Sequence, residues 1–75
     1  MNFRVVRTLD KWRRVVMWDA PGGELPVAEF VHRKDGWEVS YLYHKVFMEY
    51  AQVDEMNKFV EGPLAILKIT ERLTR

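Results

Sequence analysis

The sequence predicts a single α+β domain, in which a small antiparallel sheet of four to six strands packs against one short helix. Apolar and polar residues alternate through much of residues 1–51, and this is the period of half-buried strands. Glycine-containing turn signals divide the same region into short segments. From Gln52 onward the apolar period lengthens to that of a helix. A chain of 75 residues has the size of one domain, which we assign to residues 1–75.

The first two strands are predicted at residues 2–8 and 12–19, joined as a hairpin. The alternation places Trp12 and Trp18 on one face of the second strand and Arg13 on the other. Ala20-Pro21-Gly22-Gly23 is the strongest turn signal of the chain, because Gly adopts the positive φ of a tight turn and Pro fixes the preceding corner.

A second hairpin is predicted from residues 27–33 and 36–43, around Lys34-Asp35-Gly36. An Asp-Gly pair between apolar segments is typical of hairpin turns. One face of residues 36–43 is almost entirely aromatic or β-branched and contains Tyr41 and Tyr43. The alternation continues through residues 46–51, where we expect a further strand.

A short helix is predicted at residues 52–61, because its apolar residues recur with helical spacing. Asp54 and Glu55 fall in the first turn of this helix, where negative charge suits the helix dipole, and Gly62-Pro63 is a typical stop. Residues 63–75 fit either a strand or a second helix. Their β-branched content favours a strand.

Composition excludes several kinds of site. The chain has no Cys, so it has neither disulfides nor thiol nucleophiles. The two histidines, His32 and His44, lack metal-ligand spacing, and Ser40 has no glycine elbow around it. No apolar run has the length of a signal-peptide core or a membrane span. We therefore expect a cytoplasmic protein that is not an enzyme and that needs no metal or cofactor.

The charges are segregated along the chain although the formal net charge is only +1. Residues 1–18 are basic, residues 19–31 and 46–62 are acidic, and residues 63–75 are basic again. These blocks either neutralise one another across the folded sheet or form separate basic and acidic faces.

The segment from Trp12 to Trp18 interleaves aromatic residues with Arg13 and Arg14. Sheet proteins that bind single-stranded nucleic acids stack bases on exposed rings and hold phosphates with cations. In the alternative interpretation both Trp side chains belong to the core, and Arg14 extends past them to solvent.

Part of the first half resembles the opening of RelE-superfamily toxins, which are small ribonucleases. The resemblance rests on Trp12, the Gly22-Gly23 turn and residues 26–31. Those toxins continue with long helices and catalytic strands, whereas this chain has a hairpin. If the resemblance extends to activity, His32, Arg33 and Lys34 are the residues that it implicates.

Residues 33–75 resemble, at the level of pattern, small phage-encoded anti-CRISPR inhibitors of the sheet-plus-helix kind. The resemblance rests on the basic glycine hairpin, the strand that follows it and the acidic helix up to Gly62. It implies a non-enzymatic protein that binds a surveillance complex and blocks target engagement. It also implies the cytoplasm of a bacterial host.

The leading functional hypothesis is a non-enzymatic binding or inhibitor domain that covers the surface of a partner protein or ribonucleoprotein complex. The alternatives are a nucleic-acid-binding module that uses the basic Trp12–Trp18 hairpin and the toxin-like ribonuclease. A homodimer is also expected as a source of stability, because the core of so small a domain contributes little. Aromatic and Arg residues dominate interface hot spots, and acidic helix residues suit a basic channel. The candidate binding residues are therefore Trp12, Arg13, Arg14, Tyr41, Tyr43, Asp54, Glu55 and Glu61.

Overall fold

A computed structural model of the chain describes residues 2–8, 12–42 and 48–73, with side chains up to Ile69. The elements are β1 (Phe3–Arg7), β2 (Arg13–Ala20), β3 (Gly23–Arg33), β4 (Gly36–Tyr41) and α1 (Tyr50–Leu73). Within the described part of the chain, the four strands form one sheet in the order β1-β2-β3-β4. Each strand is antiparallel to its neighbours. The predicted α+β class is confirmed.

The two predicted hairpins are joined by a tight turn, so the four strands form one continuous meander. Lys34 and Asp35 connect β3 to β4, as the Asp-Gly signal predicts. Pro21 and Gly22 connect β2 to β3, which begins at Gly23 and therefore earlier than predicted. The first residue after each turn is a glycine with positive φ, 123° at Gly23 and 116° at Gly36. Other residues adopt this conformation only at a cost, so glycine fixes both turns.

A β-bulge in β3 brings two consecutive side chains into the core. Val16 of β2 pairs with Ala28 and Met17 pairs with Pro26, so Val27 is an extra residue in β3. Val27 and Ala28 are both fully buried. Pro26 is compatible with this strand because the pairing of β3 with β4 begins only at Ala28. The missing N–H of Pro26 therefore removes no hydrogen bond between these two strands.

Helix α1 covers one face of the sheet and completes a two-layer core. Phe59 stacks on Phe3 of β1 with ring centroids 5.7 Å apart. Met56 and Val60 lie under the sheet with 0% and 1% of their surface exposed. The buried core consists of Phe3, Val16, Trp18, Ala20, Val27, Ala28, Phe30, Trp37, Met56 and Val60.

The predicted end of the helix at Gly62-Pro63 is wrong. The preference for a strand over residues 63–75 is also wrong as far as Leu73, and residues 74 and 75 lie outside the described residues. The 24-residue α1 continues through Pro63 to Leu73. The apolar stripe that packs on the core continues beyond Pro63 with Leu64 and Leu67, and this packing offsets the loss of a backbone hydrogen bond at Pro63. The helix also begins earlier, at Tyr50, so its first turn contains no acidic residue.

The strand predicted at residues 46–51 is also wrong where the structure describes it. Met48 and Glu49 lie outside any strand, and Tyr50 begins α1. Residues 46 and 47 lie outside the described residues. The strand predicted at residues 36–43 ends at Tyr41, and Tyr43 falls outside the described residues.

Replacement of the helical proline tests the length of α1. We expect Pro63→Ala to raise the free energy of unfolding by roughly 1–3 kcal/mol, because it restores a helix-interior N–H and removes a steric clash. Urea denaturation at constant protein concentration measures the change. Pro21→Ala, in the β2–β3 turn, is the matched control and should give no stabilisation. A Pro63→Ala protein no more stable than wild type would indicate a helix that ends near Glu61.

Candidate functional site

Three aromatic side chains form a row across the end of the sheet where β2 begins, β3 ends and β4 begins. Antiparallel pairing brings these strand ends together. His32 of β3 pairs with Trp37 of β4. On its other side, the backbone N–H of His32 donates a hydrogen bond to the carbonyl oxygen of Trp12, 2.8 Å away. The row therefore follows directly from the register of the sheet.

The rings of this row are in contact and lead from the core to the surface. The His32 ring meets Trp37 edge-on, with centroids 5.1 Å apart and an interplanar angle of 79°. Its centroid is also 4.7 Å from that of Trp12, at 37°. Trp37 is 9% exposed, His32 is half-buried and Trp12 is 48% exposed. Trp37 and His32 thus hold Trp12 in place, and its indole remains accessible.

Cationic side chains surround this row on both sides of the sheet. The guanidinium carbon of Arg14 lies 5.6 Å from the centroid of the Trp37 ring, within range of a cation–π interaction. On the opposite face, Arg13 Nε lies 3.6 Å from a carboxylate oxygen of Glu29. Arg33 pairs with Glu38 in a second exposed ion pair. Such exposed pairs are weak, so a stronger anion can compete for both guanidinium groups.

Lys34 completes the cluster at the tip of the β3–β4 turn, where it is exposed. An open cleft at this edge of the sheet is lined by Trp12, Arg13, Val31, His32, Arg33 and Lys34. We refer to the whole cluster as the basic aromatic end, consisting of Trp12, Arg13, Arg14, His32, Arg33, Lys34 and Trp37. The arrangement offers a flat ring for stacking and several donors for anions.

The opposite end of the sheet is acidic. Asp19 and Glu49 line a cleft between the end of β2 and the start of α1, next to Gln52. Glu24 lies at the same end and forms a two-bond ion pair with Arg4, with both N–O distances at 2.9 Å. Both interpretations of the charge blocks therefore apply. Arg4, Arg13 and Arg33 are paired with carboxylates across the sheet, whereas the positive charges themselves gather mainly at the basic aromatic end.

The structure brings together only part of the predicted binding set. Trp12, Arg13 and Arg14 share the basic aromatic end. Tyr41 is 36% exposed but lies at the far end of β4, and Tyr43 is outside the described residues. The acidic candidates Asp54, Glu55 and Glu61 are exposed on α1, on a different element from the cations.

The interpretation of both Trp side chains as core residues is correct for Trp18 and wrong for Trp12. Trp18 is 7% exposed and Trp12 is 48% exposed. Period-two alternation assigns both residues to the same face, but it does not tell which part of that face the helix covers. Trp37 is absent from the predicted residues, and His32 is named only through the toxin resemblance. The register of the Lys34-Asp35-Gly36 hairpin, which pairs them, is the signal that identifies them.

The described residues contain no group of three or more His, Cys, Asp or Glu side chains placed to hold a metal ion. None of the helical structure in the described ranges is both long enough and apolar enough to cross a lipid bilayer. No protein-family model, curated protein or solved structure matches the chain.

Replacement of each Trp separates the site from the core. We expect Trp18→Ala to lower the free energy of unfolding by about 3–5 kcal/mol, because it leaves a cavity between sheet and helix. Trp12→Ala should cost only about 0.5–1.5 kcal/mol, the loss of its contact with His32. Urea denaturation followed by circular dichroism measures both. Equal losses in the two variants would contradict the assignment of Trp12 to the surface.

Proposed function

We propose that this protein is a non-enzymatic binding domain that holds single-stranded nucleic acid at the basic aromatic end. The observation that carries the proposal is the half-exposed indole of Trp12, which is supported from behind by His32 and lies among cations. This chemistry narrows the range of possible ligands, since flat rings beside cations suit bases joined by phosphates.

Each part of the cluster has a defined role in this proposal. A base stacks on Trp12, and such stacking contributes roughly 1–3 kcal/mol per base whatever the base. Lys34 and the guanidinium groups of Arg13 and Arg33 bind the phosphates on either side, at the expense of their weak pairs with Glu29 and Glu38. Trp37 and His32 act as positioning residues that keep the ring of Trp12 in place.

The non-enzymatic character of the proposal is supported by the surroundings of the groups that might react. His32 lies between two aromatic rings, tilted at 37° against Trp12 and edge-on to Trp37, and these contacts fix its position. Ser40 is exposed on β4, several residues from the basic aromatic end. His32, Arg33 and Lys34, which the toxin resemblance implicates in ribonuclease activity, are in this proposal binding residues.

A second candidate function is the inhibitor that covers a partner's surface, of the kind that the anti-CRISPR resemblance implies. The observation that favours it is the exposed acidic surface of α1, with Asp54, Glu55 and Glu61. Asp54 is paired with Lys58 at 3.1 Å, in an exposed contact that contributes little. Such carboxylates would meet a basic nucleic-acid channel on the partner and exclude its normal ligand.

Binding of a short single-stranded oligonucleotide at low salt tests the first proposal. We expect Trp12→Ala to weaken binding roughly tenfold to a hundredfold, because one stacked base is lost. Lys34→Ala should reduce the salt dependence by about 0.7 in the log–log slope, the value for one phosphate contact on a single strand. Fluorescence anisotropy over a range of salt concentrations measures both effects.

The matched controls for this experiment are Tyr41→Ala, an exposed aromatic at the far end of β4, and Lys58→Ala, an exposed cation on α1. Neither should change affinity by more than about twofold. Parallel titrations with RNA and DNA of the same sequence identify the preferred ligand. Absence of binding to either at low salt would reject the proposal, and cleavage of the RNA would replace it with the ribonuclease hypothesis.

The second candidate predicts a different pattern in a pull-down experiment. A protein or ribonucleoprotein retained by the wild-type chain should be lost on Asp54→Ala/Glu55→Ala, since the acidic contacts are removed, while the fold is kept. It should be retained on Lys34→Ala. The reverse pattern, in which only Lys34→Ala releases the partner, would contradict an acidic interface and favour the basic aromatic end.

A further inference from the structure

The outward face of α1 carries exposed apolar side chains in its second half. Ile66 and Ile69 are 65% and 55% exposed. Gly62 and Ala65 lie beside them and are also exposed. At 100° per residue Gly62, Ala65 and Ile69 point away from the stripe that packs on the sheet, and Ile66 lies at the edge of that stripe, in line with Phe59. Exposure of two large aliphatic side chains to water costs free energy, so burial of this face by another surface would be favourable.

We propose that a second copy of this chain covers this face, and that the two α1 helices pack against each other in antiparallel orientation about a two-fold axis near Leu64 and Ala65. The proposal goes beyond the function proposed above, because the face belongs to a different element from the basic aromatic end. It also provides a source of stability for a domain whose own core is small.

Charge complementarity selects a second copy as the occupant and antiparallel as the orientation. Glu61 and Lys68 are both exposed and lie two turns apart on the same flank of the outward face. When two helices run in opposite directions about this axis, Glu61 of one chain lies beside Lys68 of the partner subunit. The two-fold axis generates the same pair again. In a parallel arrangement Glu61 of one chain and Lys68 of the partner subunit would lie two turns apart along the helix axis, so this pair would not form.

The wider charge distribution of the helix supports the same orientation. The first half of α1 contains Asp54, Glu55 and Glu61 against one Lys58, and the second half contains Lys68 and Arg72 against one Glu71, so each half complements the other half of an antiparallel copy. A helix surface with charges of a single sign would require an oppositely charged partner. The surface of α1 has charges of both signs and is complementary to a second copy of itself. A contact of this kind uses the same surface on both chains. It therefore forms a dimer and does not continue into larger assemblies.

Side-chain size fits the same register. Nothing lies within 4 Å of the position that a Cβ atom would occupy on Gly62, so the surface is open there. In the antiparallel pair, Ile66 of one chain lies at the height of residue 63 of the other, next to Gly62, and Ile69 lies just beyond Gly62. Large residues against small ones allow two helices to approach closely.

Sedimentation equilibrium of the full chain tests the proposal. Wild type should approach about 18 kDa, twice the chain mass of 9.0 kDa, as concentration rises. Ile69→Asp should abolish the dimer, because it places a charge in the apolar contact. Lys68→Glu should weaken it roughly tenfold or more, because two attractive pairs become repulsive. Both residues are exposed in the monomer, and circular dichroism verifies that each variant is folded.

A mixing experiment makes the register falsifiable. Glu61→Lys and Lys68→Glu should each dimerise poorly alone, whereas an equimolar mixture should form a heterodimer with wild-type affinity, since opposite charges then meet at both pairs. The double variant Glu61→Lys/Lys68→Glu should also recover the dimer. Lys34→Glu, the same charge change at the basic aromatic end, is the control and should leave dimerisation unchanged.

Three outcomes would overturn the proposal. A wild-type chain that remains monomeric up to millimolar concentration would show that a different occupant, or none, covers this face. A dimer insensitive to Ile69→Asp would show that the chains pair through another surface. A dimer that loses affinity with Ile69→Asp but is not restored in the mixture would show that the helices do not meet in the antiparallel register.

Discussion

The structure depends on the burial of one face of a four-stranded sheet under a single helix. Met56 and Val60 are the fully buried side chains of that helix, and they lie against a sheet whose own buried residues include Phe30 and Val16. One amphipathic helix is the smallest element that can cover a sheet face and complete a two-layer core. The candidate binding surfaces, which are the basic aromatic end and the outward side of α1, lie outside this contact.

The limited reach of the helix explains the basic aromatic end. Along the helix-facing side of the sheet, burial decreases from the fully buried Phe30 to the half-buried His32 and the exposed Trp12. A side chain as large as Trp at the margin of a core has one face supported by neighbours and the other in water. Cations at the ends of the same strands lie around this margin, which is where we propose that nucleic acid binds.

The sequence permits prediction of the features that depend on local chemistry. Alternation assigns Trp18 and Arg13 to their correct faces, and the Asp35-Gly36 pair locates a turn. Features decided by tertiary packing escape such reasoning. The bulge at Val27 and the passage of α1 through Pro63 are both stabilised by side chains distant in sequence. The exposure of Trp12 depends on where the helix lies, so local pattern assigns its face but not its burial.

We propose that one end of this sheet, and no other surface, holds single-stranded nucleic acid. Chemical-shift mapping of the ¹⁵N-labelled wild-type chain with a short oligonucleotide at low salt tests it most directly. We expect the indole N–H of Trp12 and the backbone amides of His32, Arg33 and Lys34 to shift together and to saturate at one ligand per chain. Shifts confined to α1 or to the acidic end at Asp19, or spread evenly over the protein, would contradict it.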